Sequence, residues 1–220
     1  MLKLYTWKTP NGYKVPIMLE ELALPYEIIP VNINEGGQMT PEFLAMNPNH
    51  KIPVLVDEDA EGGALTIFES GAILMYLAEK SGQFLPTDTV GKYTTIEWLL
   101  FQLASVGPMF GQANHFVKHT AERLEYPIAR YTKEAQRLMG VMNTRLGTVE
   151  YLAGAYSIAD IATWPWIRSG IANKHVVLSE YPNVEKWYKA IEARPAVMRA
   201  IANVDNAAKG GSAVCIPKFE

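Results

Sequence analysis

The sequence carries almost no thiol. Cys215 is the only cysteine in 220 residues, so the chain cannot form an internal disulfide, and a dithiol site of the Cys-x-x-Cys type is excluded. Cysteine this scarce suits a reducing compartment and is consistent with a cytoplasmic protein. The one thiol also lies close to the C-terminus, far along the chain from the N-terminal strands and helices.

Long apolar runs and strong net charge are also missing. The longest apolar stretch, near residues 98–106, is too short and too interrupted to span a bilayer. The first residues lack the cationic segment and apolar core of a signal peptide. With a formal net charge of −3, the chain gives no reason to propose nucleic acid or an anionic membrane as a partner. We therefore expect a cytoplasmic protein.

Histidine is scarce, and it offers no complete metal site. Of the four histidines, His115 and His119 are spaced i, i+4 on a predicted helix, as two metal ligands can be. No cysteine, acid or evident third ligand completes the set. We interpret the pair as part of a helix surface and expect no bound metal.

Hydrophobic periodicity divides the chain into two halves of different class. The first half predicts the order strand-helix-strand-helix-strand-strand-helix, which is typical of a compact α/β unit of the thioredoxin type. The second half has a helical period throughout. We expect a thioredoxin-like domain at residues 1–81, a polar linker at 82–91, an all-helical domain at 92–206 and a surface tail at 207–220.

Prolines and capping residues predict several helix boundaries. Pro16 would break a helix interior, so the first helix is expected to start near Gly12 or Tyr13, with Pro16 in its first turn. Ser157 and Asp160 form a capping-box arrangement, which gives Asp160 a structural role at a helix start. In the second half, the period predicts helices at residues 92–119, 128–146, 157–172, 184–193 and 196–203.

One stretch of the first half has the features of a receptor for a small peptide. Pro53 stands where a strand should begin, and a cis bond before it would present the backbone N–H and C=O of Ile52 to solvent. A peptide could pair there as an added strand. Ser70 opens an apolar helix whose N-terminus attracts a carboxylate, and the adjacent Glu69 could hold an ammonium group. The stretch therefore predicts binding of a peptide with a free γ-glutamyl end.

The turn after the first strand is the expected position of the reactive group. It reads Thr-Pro-Asn-Gly at residues 9–12, without cysteine, so thiol chemistry here requires a thiol carried by a ligand. A free thiol has a pKa near ~8.5. The Thr9 hydroxyl and the Asn11 amide could each donate a bond worth about 1.5–3 kcal/mol to a thiolate. Because one pKa unit corresponds to about 1.4 kcal/mol, one or two such bonds suffice to make the thiolate the major form.

Together these residues resemble glutathione transferases, and in detail the bacterial Nu class. The resemblance is carried by the turn at residues 9–12, Gly36-Gly37-Gln38, Lys51-Ile52-Pro53, Glu69-Ser70 and the segment 157–166. Members of that class are known as glutathione-dependent disulfide-bond reductases with weak conjugating activity. The resemblance implies a homodimer that acts on small disulfide or electrophilic substrates, with reduced or oxidised glutathione as cosubstrate.

The resemblance also implies a role for individual residues. It assigns glutathione binding to Asn11, Gln38, Ile52, Glu69 and Ser70. Thr9 would help to hold the sulfur, and Lys51 could pair with the glycine carboxylate. Arg130 matches a family arginine that contacts glutathione, and this contact could cross a dimer interface.

Other functions and other residues remain open at this point. A conjugating transferase needs the same thiolate, and a non-catalytic glutathione-binding regulator, like a yeast nitrogen regulator of similar sequence, needs only the fold. Tyr5 lies where other transferase classes place a catalytic tyrosine, but strand alternation explains it as packing. Met109, Phe110 and Phe116 could line an apolar pocket or pack in the helical domain.

Overall fold

The first compact unit is built around a mixed sheet. The computed structural model describes residues 1–217 and groups Met1–Gln83 with the chain from Ala193 onward. The strands of its sheet are β1 (Leu2–Thr6), β2 (Tyr26–Pro30), β3 (Val54–Asp57), β4 (Leu65–Phe68) and β5 (Ala213–Cys215). They lie in the order β4-β3-β1-β2-β5, with β1 and β2 parallel and the other neighbouring pairs antiparallel.

The helices follow the predicted succession in the first half of the chain and differ from it in the second, where two helices occupy residues 89–118. Along the chain they are α1 (Pro10–Glu21), α2 (Pro41–Met46), α3 (Ser70–Ser81), α4 (Thr89–Phe101), α5 (Gly107–Lys118), α6 (Glu125–Leu146), α7 (Ile158–Ala172), α8 (Pro182–Glu192) and α9 (Pro195–Gly210). The order β1-α1-β2-α2-β3-β4-α3 confirms the predicted α/β arrangement of the first half. It also places the starts of α1 and α3, the two expected ligand-binding ends, within the same unit.

The predicted start of the first helix is wrong, because Pro16 lies inside α1. In a regular helix the N–H at position 16 would donate to the carbonyl of Gly12. Proline has no N–H, and the Thr6 hydroxyl donates to the Gly12 carbonyl instead, at 2.8 Å. A side chain from β1 therefore satisfies the group that proline leaves unpaired, and the helix continues back to Pro10.

The C-terminal segment differs from the predicted surface tail. Helix α9 continues past the expected end at residue 203 because Val204 and Ala207 are buried, and Cys215 in β5 pairs with Tyr26 of β2. Residues 218–220 of the predicted tail lie outside the described part of the chain. The domain boundaries at 81, 92 and 206 stay a prediction, although α9 and β5 pack with the first compact unit.

Ion pairs connect α9 to α1 within this unit. The Arg194 guanidinium donates to both carboxylate oxygens of Glu21, at 2.6 and 2.8 Å, and Arg199 donates to the buried Glu20 at 2.9 Å. Asn203 donates to the same Glu20 carboxylate at 2.9 Å. These contacts hold the C-terminal helix against the helix that starts with the Thr9 turn.

Replacement of Arg194 by methionine should lower the free energy of unfolding by about 1–2 kcal/mol, between the effects of exposed and fully buried ion pairs. The reason is that Glu21 is almost buried and loses a bidentate partner. Urea denaturation measures the change. Lys189→Met, which removes an exposed i, i+4 pair with Glu185 on α8, is the control and should cost no more than about 0.5 kcal/mol. If both substitutions lowered the free energy of unfolding equally, the Arg194–Glu21 pair would stabilise the fold no more than an exposed ion pair does.

The second compact unit, Phe84–Glu192, is helical. The single helix predicted for residues 92–119 is two helices, α4 and α5, joined by a π-helical turn, Gln102–Val106. The predicted capping box at the start of α7 is confirmed, since Asp160 accepts from the Ser157 backbone and also from the Trp187 indole at 2.8 Å. Within residues 1–217, no helix combines the length and apolar character needed to cross a membrane.

Candidate active site

The start of α1 joins a helix cap to two potential sulfur donors. The Thr9 hydroxyl accepts from the Gly12 backbone N–H at 3.1 Å and so caps the helix. A hydroxyl has one proton and two lone pairs, and this bond uses a lone pair and not the proton. Asn11 is half-buried in the first turn. Thr9 can therefore cap the helix and still donate its proton to a thiolate.

A buried asparagine organises the loop before β3. Asn47 donates from its amide to the Lys51 carbonyl at 2.6 Å and accepts from the Asn49 backbone N–H at 2.9 Å. The Ile52–Pro53 bond that follows is cis. Strand pairing of β3 begins at Val54, so the Ile52 backbone lies outside the ladder. The side chain of Lys51 is exposed, as a residue that pairs with a ligand carboxylate must be.

The start of α3 has an unusual backbone conformation. Glu69 immediately precedes the helix with φ 71° and ψ 115°, in a region that glycine occupies more easily, and such a conformation costs about 1–3 kcal/mol. Its exposed carboxylate accepts a long bond from Asn49 at 3.5 Å. Ser70 is the first residue of the helix and is only 5% exposed. The backbone thus turns one charged side chain outward and one hydroxyl toward the protein interior.

Lys14 connects the two helix starts. Its side chain is completely buried, and its ammonium nitrogen lies 3.2 Å from the Ser70 hydroxyl oxygen. Burial lowers the pKa of Lys14 to about 7, and the nearby negative charge of Glu69 opposes that shift. Because residues three apart share a helix face, Lys14 also places Asn11 on the side of α1 that faces the start of α3. The structure therefore connects α1 to Ser70 through Lys14, a residue that the sequence did not single out.

Gln38 has an unsatisfied polar atom. It lies in a short 3₁₀ helix, Gly37–Met39, and its side-chain carbonyl oxygen is buried without a hydrogen-bond partner within residues 1–217. Buried polar groups are almost always paired, so an exception calls for an explanation such as a missing ligand. A peptide amide would satisfy this atom, and the residues of the first unit therefore fit a ligand such as glutathione.

Arg130 lies in the second unit. It is exposed on α6 and lines a cavity of about 710 Å³ together with Met109 of α5. Phe110 is buried in the core instead, and Phe116 stacks on Tyr131. Of the three residues considered for an apolar pocket, Met109 lines this cavity, and packing accounts for the two phenylalanines. The predicted contact of Arg130 with glutathione stays a prediction.

Comparisons with known proteins support the same interpretation of the fold. The sequence matches the family model "Glutathione S-transferase, N-terminal domain" over residues 1–79 and "Glutathione S-transferase, C-terminal domain" over residues 106–195. It is 46% identical to the disulfide-bond oxidoreductase YfcG of Escherichia coli, over 91% of this chain and 94% of that protein. The chain belongs to the glutathione S-transferase family. Family membership confirms the predicted fold, a thioredoxin-like domain with a helical domain.

Two solved structures of this transferase family contain the expected cosubstrate. A glutathione transferase from Burkholderia graminis, 48% identical with a TM-score of 0.87, has two glutathione molecules bound per subunit; the match covers 91% of this chain and 87% of that one. One from Pseudomonas putida, 41% identical with a TM-score of 0.87, has one glutathione disulfide bound per subunit; the match covers 91% and 90%.

Two other candidates receive structural explanations. Tyr5 of β1 packs against the small core formed by Val31, Phe43 and Val54, as strand alternation predicts. His115 and His119 lie with ring centroids 6.4 Å apart. Among the described residues no three His, Cys, Asp or Glu side chains are grouped closely enough to hold a metal ion.

Sequence reasoning missed Lys14 and the bracing role of Asn47. A signal for Lys14 was present, because Lys14 lies four residues before Met18 and eight before Leu22 on the apolar side of the predicted helix. A lysine in such an apolar environment is unusual and has a partner or a function. Asn47 gave no comparable signal, since an asparagine before a proline is also an ordinary turn residue.

Proposed function

We propose that this transferase reduces disulfides with the thiolate of bound glutathione. The observation that carries the proposal is the position of the chain's own thiol. Cys215 pairs with Tyr26, which pairs with Leu2 at the start of β1, whereas the Thr9 turn follows the end of β1. The two ends of this five-residue strand are about 13 Å apart along the strand.

Cys215 is also chemically unsuited to the reaction. It is buried in β5, and burial raises the pKa of its thiol. A thiol with a raised pKa has little thiolate at neutral pH, and only the thiolate is a good nucleophile. A reactive sulfur near Thr9 and Asn11 must therefore arrive with a ligand, and the relatives with bound glutathione or glutathione disulfide indicate which ligand.

We assign each part of glutathione to a group in the first unit. The α-carboxylate of the γ-glutamyl residue binds at Ser70 and the N-terminus of α3, and its amine binds Glu69. The cysteinyl backbone pairs with Ile52, which lies outside the β3 ladder. Lys51 holds the glycine carboxylate, and the unpaired oxygen of Gln38 accepts from a peptide N–H. The thiol then lies at the start of α1.

The reaction consists of two thiol–disulfide exchanges. The bound glutathione thiolate attacks one sulfur of the substrate disulfide, forms a mixed disulfide and releases one substrate thiolate. A second glutathione thiolate attacks the glutathione sulfur of the mixed disulfide and releases the second substrate thiolate. Two glutathione molecules are oxidised to glutathione disulfide, and one substrate disulfide is reduced to two thiols. The protein contributes binding, orientation and donors to the thiolate.

Calorimetry and two parallel assays test the proposal. Purified protein is titrated with reduced and with oxidised glutathione, and turnover is measured with 2-hydroxyethyl disulfide and with an aromatic halide electrophile. We expect binding and faster turnover of the disulfide. Faster turnover of the halide would favour the conjugating transferase, and binding without turnover of either substrate would favour a regulatory protein. Absence of binding by both forms of glutathione would refute the proposal.

Replacement of Cys215 by serine should leave most of the disulfide-reductase turnover intact, because the thiol that reacts belongs to glutathione. The measurement is the glutathione-dependent rate of disulfide reduction at saturating substrate. Urea denaturation of the same variant shows whether a buried hydroxyl in β5 has affected folding. Loss of turnover in a folded Cys215→Ser protein would mean that the chain's own sulfur takes part.

We further propose a cytoplasmic homodimer of the Nu class. Support for an interface comes from β4, an edge strand of the sheet on which Leu65 and Phe68 are more than a third exposed. An apolar edge strand left open is an aggregation hazard unless another surface covers it. Light scattering coupled to size-exclusion chromatography tests the dimer, and Leu65→Lys should shift the protein toward the monomer.

A further inference from the structure

Lys14 has a position that packing alone does not explain. It is a fully buried charged side chain in α1, and removing an ammonium group from water is unfavourable unless other charges and hydrogen bonds compensate. Its nitrogen lies 3.2 Å from Ser70, at the N-terminus of α3. That helix end is where the proposed function places the γ-glutamyl carboxylate.

The chemistry of the pair fixes the direction of the hydrogen bond. In its ammonium form, which a bound carboxylate favours, Lys14 has donors and no acceptor, so the Ser70 oxygen accepts from it. The hydroxyl proton of Ser70 then points elsewhere and can be donated to a carboxylate. Lys14 thus determines the orientation of the hydroxyl and adds a positive charge beneath the carboxylate position.

We infer that Lys14 is a positioning residue that orients Ser70 and selects ligands with a free α-carboxylate at the γ-glutamyl end. The inference rests on the proposed function. Glu69, immediately before Ser70, presents the opposite charge at the surface, so the two charges match the ammonium and carboxylate of an α-amino acid. A ligand that lacks the carboxylate can neither accept a hydrogen bond from Ser70 nor interact with the positive charge of Lys14.

The low pKa of the Lys14 ammonium, about 7 and caused by burial, agrees with this role. A carboxylate that binds at Ser70 favours the charged form of a nearby amine. Binding of the ligand would therefore strengthen the ion pair that holds it. In the absence of the ligand, Glu69 is the charged group that favours the ammonium form.

The test compares two ligands on one variant. Lys14→Met keeps a long unbranched side chain and removes the charge. Affinity for glutathione should fall about tenfold to hundredfold, the range expected for a lost hydrogen bond to a charged group. Affinity for 4-aminobutanoyl-cysteinylglycine, which is glutathione without the α-carboxylate, should be the same in wild type and variant. The KM for glutathione should rise while kcat at saturating glutathione is unchanged.

Two further variants separate positioning from a general effect on folding. Lys80→Met, at the other end of α3, removes a lysine that pairs with Asp57 and should not change affinity for either ligand. Ser70→Ala combined with Lys14→Met should weaken glutathione binding by less than the product of the two single effects, because both act on one carboxylate. If Lys14→Met does not fold, Lys14→Gln serves in the same comparison.

The outcomes distinguish this inference from the proposed function. If wild-type protein binds neither form of glutathione, the proposed function fails. If wild type binds glutathione but Lys14→Met loses affinity equally for both ligands, or for neither, Lys14 does not act on the carboxylate and the inference is overturned. A loss confined to glutathione supports it.

Discussion

Asn11→Ala should reduce glutathione-dependent disulfide turnover about tenfold to hundredfold, since a hydrogen bond to a charged group is worth about 1.5–3 kcal/mol. Asn11 lies in the first turn of α1, two residues after the Thr9 cap, and we propose that its amide donates to the glutathione sulfur. Such a bond stabilises the thiolate, which is the reactive form of the bound glutathione, more than it stabilises the neutral thiol. Turnover should therefore fall by a larger factor than affinity for reduced glutathione.

The pH dependence of turnover gives the sharper measurement. Without the Asn11 donor the bound thiol has a higher pKa, so the rate should continue to rise to a higher pH than in wild type, by about one to two pH units. Asn206→Ala on the exposed part of α9 is a matched control and should leave the profile unchanged. An Asn11→Ala protein with wild-type turnover and profile would remove Asn11 from the site.

Gly12→Ala should lower the free energy of unfolding by about 3 kcal/mol and should also abolish most turnover. A Cβ atom at position 12 would lie 1.8 Å from the Trp7 carbonyl oxygen and 2.8 Å from the Thr6 hydroxyl oxygen. The nearest atom belongs to the backbone, so the start of α1 must move away from the end of β1. That movement displaces Thr9 and Asn11 together.

At a second glycine, replacement by alanine should raise the free energy of unfolding. Gly140 lies inside α6, and no atom within 4 Å opposes a Cβ there. Alanine is a better helix former than glycine, so Gly140→Ala should raise the free energy of unfolding by about 0.5–1 kcal/mol. Urea denaturation of both variants, with disulfide turnover measured in parallel, tests the contrast. A Gly12→Ala protein as stable as wild type would show that α1 does not need this close approach.

The difference between prediction and structure is informative at Pro16. The sequence rule that proline breaks a helix interior is sound, and it misplaced the start of α1 because Thr6, ten residues before Pro16, donates to the carbonyl that proline leaves unpaired. The prediction of a surface tail at residues 207–220 failed for a related reason. A strand as short as Ala213–Cys215 has no detectable period, and it forms because β2 offers an edge with which it can pair.

The sequence by itself determined the order of strands and helices over the first 81 residues, the helix start at Ser70 and the absence of cysteine from the turn at residues 9–12. These features depend on local periodicity, on turn chemistry and on composition, all of which are readable along the chain. Only the tertiary structure decided that Lys14 contacts Ser70. It also decided that Cys215 is aligned, through Tyr26, with the start of β1, whereas Thr9 follows the end of β1. Both facts join residues distant in sequence, and such contacts follow from how the elements pack and not from any local pattern.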